Sequence, residues 1–180
     1  MGAESSGTTT LAQQLAAHYG TLWVPEYGRD YTEARKVAGA KYEWTSEEFV
    51  HIALKQQEHE DIMATQARRV LFCDTDALAT CIWHERYMGF WSMSVENVAE
   101  RRRYALYILT QPDIPFVQDR IRDSENLREW MTQRFRAELD RRAYPWILVQ
   151  GKMEDRLKTA IAAVDKLLVG DALANARGSI

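Results

Sequence analysis

Apolar residues fall along this chain in two rhythms. Leu22-Trp23-Val24, Val70-Leu71-Phe72-Cys73, Tyr104 to Leu109 and Trp146-Ile147-Leu148-Val149 are short unbroken runs, which predict buried strands. Between them apolar positions return every three or four residues, the spacing of an amphipathic helix. Thr8 to Tyr19 reads as such a helix, stopped by Gly20. Thr45-Ser46-Glu47-Glu48 has the form of a capping box and opens a helix to about Arg68, with Phe49, Ile52, Ala53, Ile62 and Met63 expected inward. Further helices are predicted over Ala77 to Tyr87, Ser94 to Arg103, Ser124 to Arg142 and Asp155 to Val169. Pro25 to Asp30 reads as a turn, Gln111 to Asp123 as a charged loop, and Asn175 to Ile180 as a frayed end. Strands that alternate with helices signal an α/β domain with a mainly parallel sheet. Residues 1–170 are expected to form one domain and 171–180 a C-terminal tail.

Composition changes this picture little. The formal net charge of −3 over 180 residues argues against a protein that grips nucleic acid by broad electrostatics. The basic runs Arg101-Arg102-Arg103 and Arg141-Arg142 are offset by Glu96, Glu100, Glu138 and Asp140. No apolar run approaches the roughly 18 residues of a membrane helix. Two cysteines, Cys73 and Cys81, are too few for a disulfide framework or a zinc cluster, so a reduced, cytoplasmic setting is expected. His18, His51, His59 and His84 lie on helices without zinc spacing and read as surface or satisfied side chains.

The chemistry concentrates at the start. Gly2-Ala3-Glu4-Ser5-Ser6-Gly7-Thr8-Thr9 matches the phosphate loop G-x-x-x-x-G-K-[S/T] except at the lysine, where Thr8 stands. In such a loop successive backbone N–H groups form a concavity for phosphate oxygens. The helix that follows aims its positive end at the same place. Residues 2–10, through Thr10, are therefore the expected ATP contacts, with Thr9 placed to hold magnesium. A lysine would have added a point charge at the phosphates, so arginines elsewhere are expected to substitute. The loop normally follows a buried central strand. Here almost nothing precedes Gly2, so that first strand is expected to be missing from the sheet.

Ligands of open parallel sheets bind beyond the carboxyl ends of the strands, and the remaining motifs sit there. Asp74-Thr75-Asp76 ends a strand: Asp74 is the candidate metal-side carboxylate, and Asp76 a helix cap or substrate contact. In Pro25-Glu26-Tyr27-Gly28-Arg29-Asp30, Glu26 is a candidate general base, Tyr27 a stacking ring, and Arg29 a phosphate ligand or a partner of Glu26. In the loop after the third strand, Arg120 and Arg122 could reach a transferring phosphoryl group as the loop closes. Among the tryptophans, Trp44 is the best placed to stack on a flat ring. Trp130 and Trp146 read as core.

Taken together, Gly-Ala-Glu-Ser-Ser-Gly, Val-Pro-Glu-Tyr-Gly-Arg-Asp-Tyr, Phe-Cys-Asp-Thr-Asp and Pro-Asp-Ile-Pro-Phe-Val-Gln-Asp resemble the ribosylnicotinamide kinase domain of NadR-type NAD-salvage proteins, from residue 2 to about 170. The resemblance implies a phosphate-loop kinase, with three α/β/α layers, that uses ATP and magnesium to phosphorylate the 5′-hydroxyl of nicotinamide riboside. It places Gly2 to Thr9 on the triphosphate and Asp74 near magnesium. Glu26 and Arg29 face the ribose, and Asp119, Arg120 and Arg122 lie in the lid. Two positions depart from the family pattern. Thr8 replaces its lysine, and Arg120 replaces the glycine after the acid Asp119, so the second change could offset the first. A kinase for another nucleoside, or a nucleotide-binding protein with weak catalysis, are the rival expectations.

Overall fold

The computed structural model describes residues 1–37, 43–114 and 127–177, with 171–177 as backbone alone. The elements in chain order are α1 (Thr8–Tyr19), β1 (Trp23–Val24), α2 (Tyr27–Val37), α3 (Ser46–Ala64), β2 (Phe72–Cys73), α4 (Ala77–Met88), α5 (Met93–Ala99), β3 (Tyr107–Thr110), α6 (Leu127–Arg141), β4 (Trp146–Val149) and α7 (Met153–Arg177).

Local chemistry explains most boundaries. Thr45 accepts from the Glu48 N–H while the Glu48 carboxylate accepts from the Thr45 N–H, which completes the capping box of α3. Asp76 and Ser92 cap α4 and α5 in the same manner through one side-chain oxygen each. Gly20 and Gly89 close α1 and α4 in the left-handed conformation that costs glycine nothing.

Among the described residues both strand pairs are parallel. β1 pairs with β2 (Trp23 opposite Phe72), and β3 pairs with β4 (Tyr107 opposite Trp146 through Thr110 opposite Val149). The β3–β4 half shows why the chain folds in three layers. Leu106, Ile108, Ile147 and Val149 pack with Leu11, Leu15, Ala160 and Val164 of α1 and α7. Leu109 and Leu148, pointing the other way, pack with Ala79, Ile82, Met131 and Phe135 of α4 and α6. A period of two turns alternate residues to opposite faces, and both faces are covered by helices, so these strands read as continuous apolar runs.

The expected gap in the sheet is present among the described residues. The two halves are separate, and Gly2 forms an isolated parallel bridge with Thr110 at the edge of β3. The Met1 amino group donates to Ile108 O at 3.0 Å, and Thr110 N–H donates to Met1 O at 3.1 Å. A slot of about 210 Å³ is lined by Leu11, Leu15, Phe72, Cys73, Leu106 and Ile108, among others. Phe72 and Asp74 donate toward β1, and Tyr107 and Gln111 toward β4. Strand alternation therefore turns the N–H and C=O of Cys73 and Ile108 into the slot.

Several sequence expectations need correction. Tyr27–Val37 is a helix rather than a turn. Ile62 is exposed: the inward stripe of α3 runs Phe49, Ile52, Ala53, Gln56, Gln57, Glu60, and Ile62 lies off it. The stripe carries polar residues because Gln57 donates to Val98 O and Glu60 accepts from Arg102 and Tyr104. α5 ends at Ala99, and Arg102 beyond it reaches back to Glu60 and Asp61. β3 begins at Tyr107 rather than Tyr104. α7 runs on to Arg177, past the boundary expected at residue 170; no proline interrupts it, and a single Gly170 costs a helix only about 1 kcal/mol.

Candidate functional site

The phosphate loop owes its shape to a few contacts. Ser5 and Gly7 both have positive φ, at 54° and 83°, and Gly7 is the N-cap of α1. Alternating backbone hands of this kind turn consecutive N–H groups into one hollow. A Cβ on Gly2 would overlap the Thr110 hydroxyl, so only glycine lets the loop entrance lie against β3. Ser6 Oγ donates to Ala3 O at 2.7 Å and lies 2.6 Å from Thr110 Oγ1. With Gly7 at the N-cap and no side-chain cap, the first N–H groups of α1 are left for a ligand.

Next to the loop lies a cavity of about 300 Å³. Its lining includes residues 2–5 and 7–10 of the loop and α1 together with Glu26, Arg29, Trp44, Phe49, Trp83 and Tyr87. The Thr9 hydroxyl donates to Asp74 Oδ2 at 2.6 Å, which brings the expected magnesium pair together. These are hard oxygen donors, few in number, as suits a magnesium ion that keeps water and phosphate oxygens in its shell. The donor set therefore fits magnesium, and the hollow at Gly7 fits a phosphate chain.

Glu26 lines the same cavity as the loop. Burial pushes its carboxyl up to about 7, nearby Asp74 adds to the effect, and Arg29 opposes it. Arg29 Nε lies 3.9 Å from Glu26 Oε2, so Arg29 holds Glu26 rather loosely. A carboxyl poised near neutrality beside a phosphate site is suited to accept a proton from a hydroxyl.

The aromatic part of the lining is built from α3, α4 and Trp44, which lies just before α3. Trp44 packs on Phe49 and Tyr87 at ring distances of 5.0 and 5.5 Å, and Arg35 lies over its ring at 4.1 Å. Trp83 and Tyr87, one turn apart on α4, are stacked at 6.1 Å. Arg86 sits beside both rings and pairs with Glu4 of the phosphate loop at 3.0 Å, with both side chains nearly buried.

Sequence reasoning found the loop, Glu26, Arg29, Trp44 and Asp74, and the structure gathers them around one cavity. It places two expected substrate contacts elsewhere. Asp76 is buried as the cap of α4, its Oδ1 accepting from Ala79 N at 2.8 Å, and it lines the slot instead. Tyr27 turns to α3: its hydroxyl meets His51 Nε2 at 3.1 Å and its ring lies against His59. Asp119, Arg120 and Arg122 lie outside the described residues. Sequence reasoning missed Phe49, Gln56, Trp83, Tyr87 and Ile114 as lining residues. The three- and four-residue spacing of Thr80, Trp83 and Tyr87 marks one face of α4, but spacing alone does not separate a cavity wall from core. Among the described residues no helix is long and apolar enough to cross a membrane.

The chain is similar to several known proteins. The AAA domain family matches residues 1–156. The trifunctional NAD biosynthesis/regulator protein NadR of Salmonella typhimurium (strain LT2) is 28% identical over 158 residues, which cover 88% of this chain and 36% of that protein. NadR of Escherichia coli (strain K12) is 31% identical over 122 residues, 68% of this chain and 30% of that one. The chain thus spans about a third of the length of these curated relatives. A crystal structure of NadR protein in complex with NR aligns with a TM-score of 0.76 at 21% identity, over 92% of this chain and 49% of that one. A second, in complex with NAD and AMP-PNP, aligns with a TM-score of 0.71 at 21% identity, over 92% and 47%. At that identity the likeness speaks to the fold.

Proposed function

From the premise that the chain belongs to the AAA domain family, we propose that it is a nucleoside kinase that transfers the γ-phosphoryl group of ATP to the 5′-hydroxyl of nicotinamide riboside, giving nicotinamide mononucleotide. One observation carries this reading: a single cavity joins a phosphate loop and the Thr9–Asp74 pair to a carboxyl near neutrality and a wall of aromatic rings. The homology to NadR supports the choice of acceptor.

Residues 2–10 would bind the triphosphate through backbone N–H groups and the positive end of α1. Thr9 and Asp74 would hold magnesium, which when bound neutralises charge on the phosphate oxygens. Trp44, Trp83 and Tyr87 would place the acceptor's flat ring. Glu26 would accept the acceptor's hydroxyl proton as the new P–O bond forms and the bond from the γ-phosphorus to the β–γ bridging oxygen breaks to release ADP, and Arg29 would keep its carboxylate aimed at that hydroxyl. Arg120 and Arg122 would add positive charge from the lid, with Asp119 beside them. Positioning and charge stabilisation supply most of the rate in phosphoryl transfer, so this set suffices in kind.

Thr8 favours a second reading, that of a nucleotide-binding protein with little catalysis. The test is a mass-detected assay with the purified chain, ATP, magnesium and a panel of nucleosides. Phosphate gained by nicotinamide riboside is the expected result. Phosphate gained by another nucleoside would move the acceptor assignment. Saturable ATP binding with no transfer to any nucleoside would favour the second reading.

A further inference from the structure

We propose that Arg156 is the positioning residue of the phosphate loop: it acts through the Ser6 carbonyl to hold the anion-binding shape of a loop that has no lysine. The proposal rests on the nucleotide-site reading above. Arg156 is a long cationic side chain with no exposure at all. It lies on the first turn of α7, yet it touches three segments: the phosphate loop, the segment after β3 and the segment after β4. Its Nη1 donates to Ser6 O at 2.6 Å, Nε to Gly151 O at 2.8 Å, and Nη2 to Gln111 O at 3.0 Å and to Asp113 Oδ1. Asp113 Oδ2 in turn accepts from the Gly151 N–H at 2.6 Å. The planar fork of a guanidinium allows one side chain to meet acceptors in several directions, which an ammonium cannot do.

The bond to Ser6 is the functional one. A trans peptide sets C=O and N–H in opposite directions, and no peptide bond here is cis among the described residues. Drawing Ser6 O toward Arg156 therefore points the Gly7 N–H away from it, to the hollow at the start of α1. Gly7 is packed closely enough to transmit this: a Cβ there would lie 3.2 Å from Met153, 3.5 Å from Ile114 and 3.8 Å from Arg156 Nη1. Asp113 fixes the fork from its far side, and Ile114, the next residue, lines the cavity. A loop with a lysine has a charge of its own at the phosphates. With Thr8 in its place, this loop depends on the direction of its N–H groups, and Arg156 sets the first of them.

The experiment is calorimetric titration of the full chain with a non-hydrolysable ATP analogue and, separately, with inorganic tripolyphosphate, both with magnesium. Arg156→Lys is expected to weaken both probes by about tenfold or more, since hydrogen bonds from a charged group to the loop are lost. The binding stoichiometry and the melting temperature then separate the causes: a misfolded fraction lowers the stoichiometry, whereas a misdirected N–H raises the Kd of the folded fraction. If Arg156→Lys does not fold, Asp113→Asn, which keeps the carbonyl bonds and loosens the fork, is expected to weaken both probes about threefold. A folded variant of either kind with wild-type affinity for tripolyphosphate overturns the proposal. Wild-type chain that binds neither probe overturns it together with the kinase reading. Wild-type chain that binds both but transfers no phosphate overturns the kinase reading alone, and the variant affinities still decide the role of Arg156.

Discussion

Thr9 and Asp74, 65 residues apart in sequence, meet through a hydrogen bond of 2.6 Å from the threonine hydroxyl to the aspartate carboxylate. The contact joins the first turn of α1 to the end of β2, and it sets two oxygen donors side by side at the mouth of the phosphate hollow. Asp74→Asn is expected to lower kcat about 100-fold or more, because removing a charge that acts on the transferring group costs that order. Thr9→Ser is expected to retain most of the rate, and Thr9→Val to lose it. Steady-state rates over a magnesium titration check this, and a Thr9→Val variant with wild-type kcat would contradict it.

Glu26 links activity to pH. Its folded carboxyl titrates at about 7. In the proposed role of general base it must be unprotonated, so kcat/KM is expected to rise as pH increases through about 7 and then level off. Glu26→Gln is expected to abolish that inflection and lower kcat by roughly 100-fold or more. A pH–rate profile of the free enzyme reads both effects.

The same group links stability to pH with the opposite sign. Its folded value lies above the ordinary carboxyl value of 4.5, so between about 4.5 and 7 the folded state holds the proton more tightly than the unfolded chain does. The stability this contributes is full below that window and is lost as pH rises through it. Glu26→Gln removes the loss, so the variant is expected to melt higher than wild type at pH 8, with the gap closing toward pH 5. Thermal unfolding at the two pH values tests the sign.

Thr8 is the loop's departure from its pattern, and it lines the cavity. Thr8→Lys adds a point charge where the β- and γ-phosphates are expected. Affinity for the ATP analogue should rise about tenfold, as a new charge-assisted contact implies. An unchanged Kd would mean that other cations already saturate the phosphate chain.

Trp44 is held by Phe49, Tyr87 and Arg35 while it lines the cavity. Trp44→Ala is expected to raise KM for the nucleoside about tenfold with a small change in KM for ATP, since ring stacking is worth about 1 kcal/mol or more. Trp44→Phe should recover most of the loss.

Apart from α2, which read as a turn, the described helices were legible in the sequence, because helices are written locally. The Thr45–Glu48 capping box, the stops at Gly20 and Gly89 and the apolar stripes each depend on residues within a few positions of one another. The phosphate loop was legible for the same reason: its glycines and hydroxyls are contiguous, and backbone conformation follows from them. Strand ends marked the right neighbourhoods for Glu26 and Asp74, since a parallel sheet collects its ligands there. Partnership across the chain was not written in any local pattern. Asp76 and Asp74 have the same residue type two positions apart, yet one caps a helix and the other meets Thr9. Trp83 and Tyr87 look like core by spacing, and only the placement of α4 beside Trp44 turns them to the cavity. Arg156 gave no signal at all, because a buried guanidinium is stable only where distant carbonyls and a carboxylate converge to satisfy it, and that convergence is a property of the packed sheet. Local sequence determined which segments are helix, strand and phosphate loop; long-range packing decided which side chains face one another, since burial and pairing are settled by neighbours that lie far away along the chain.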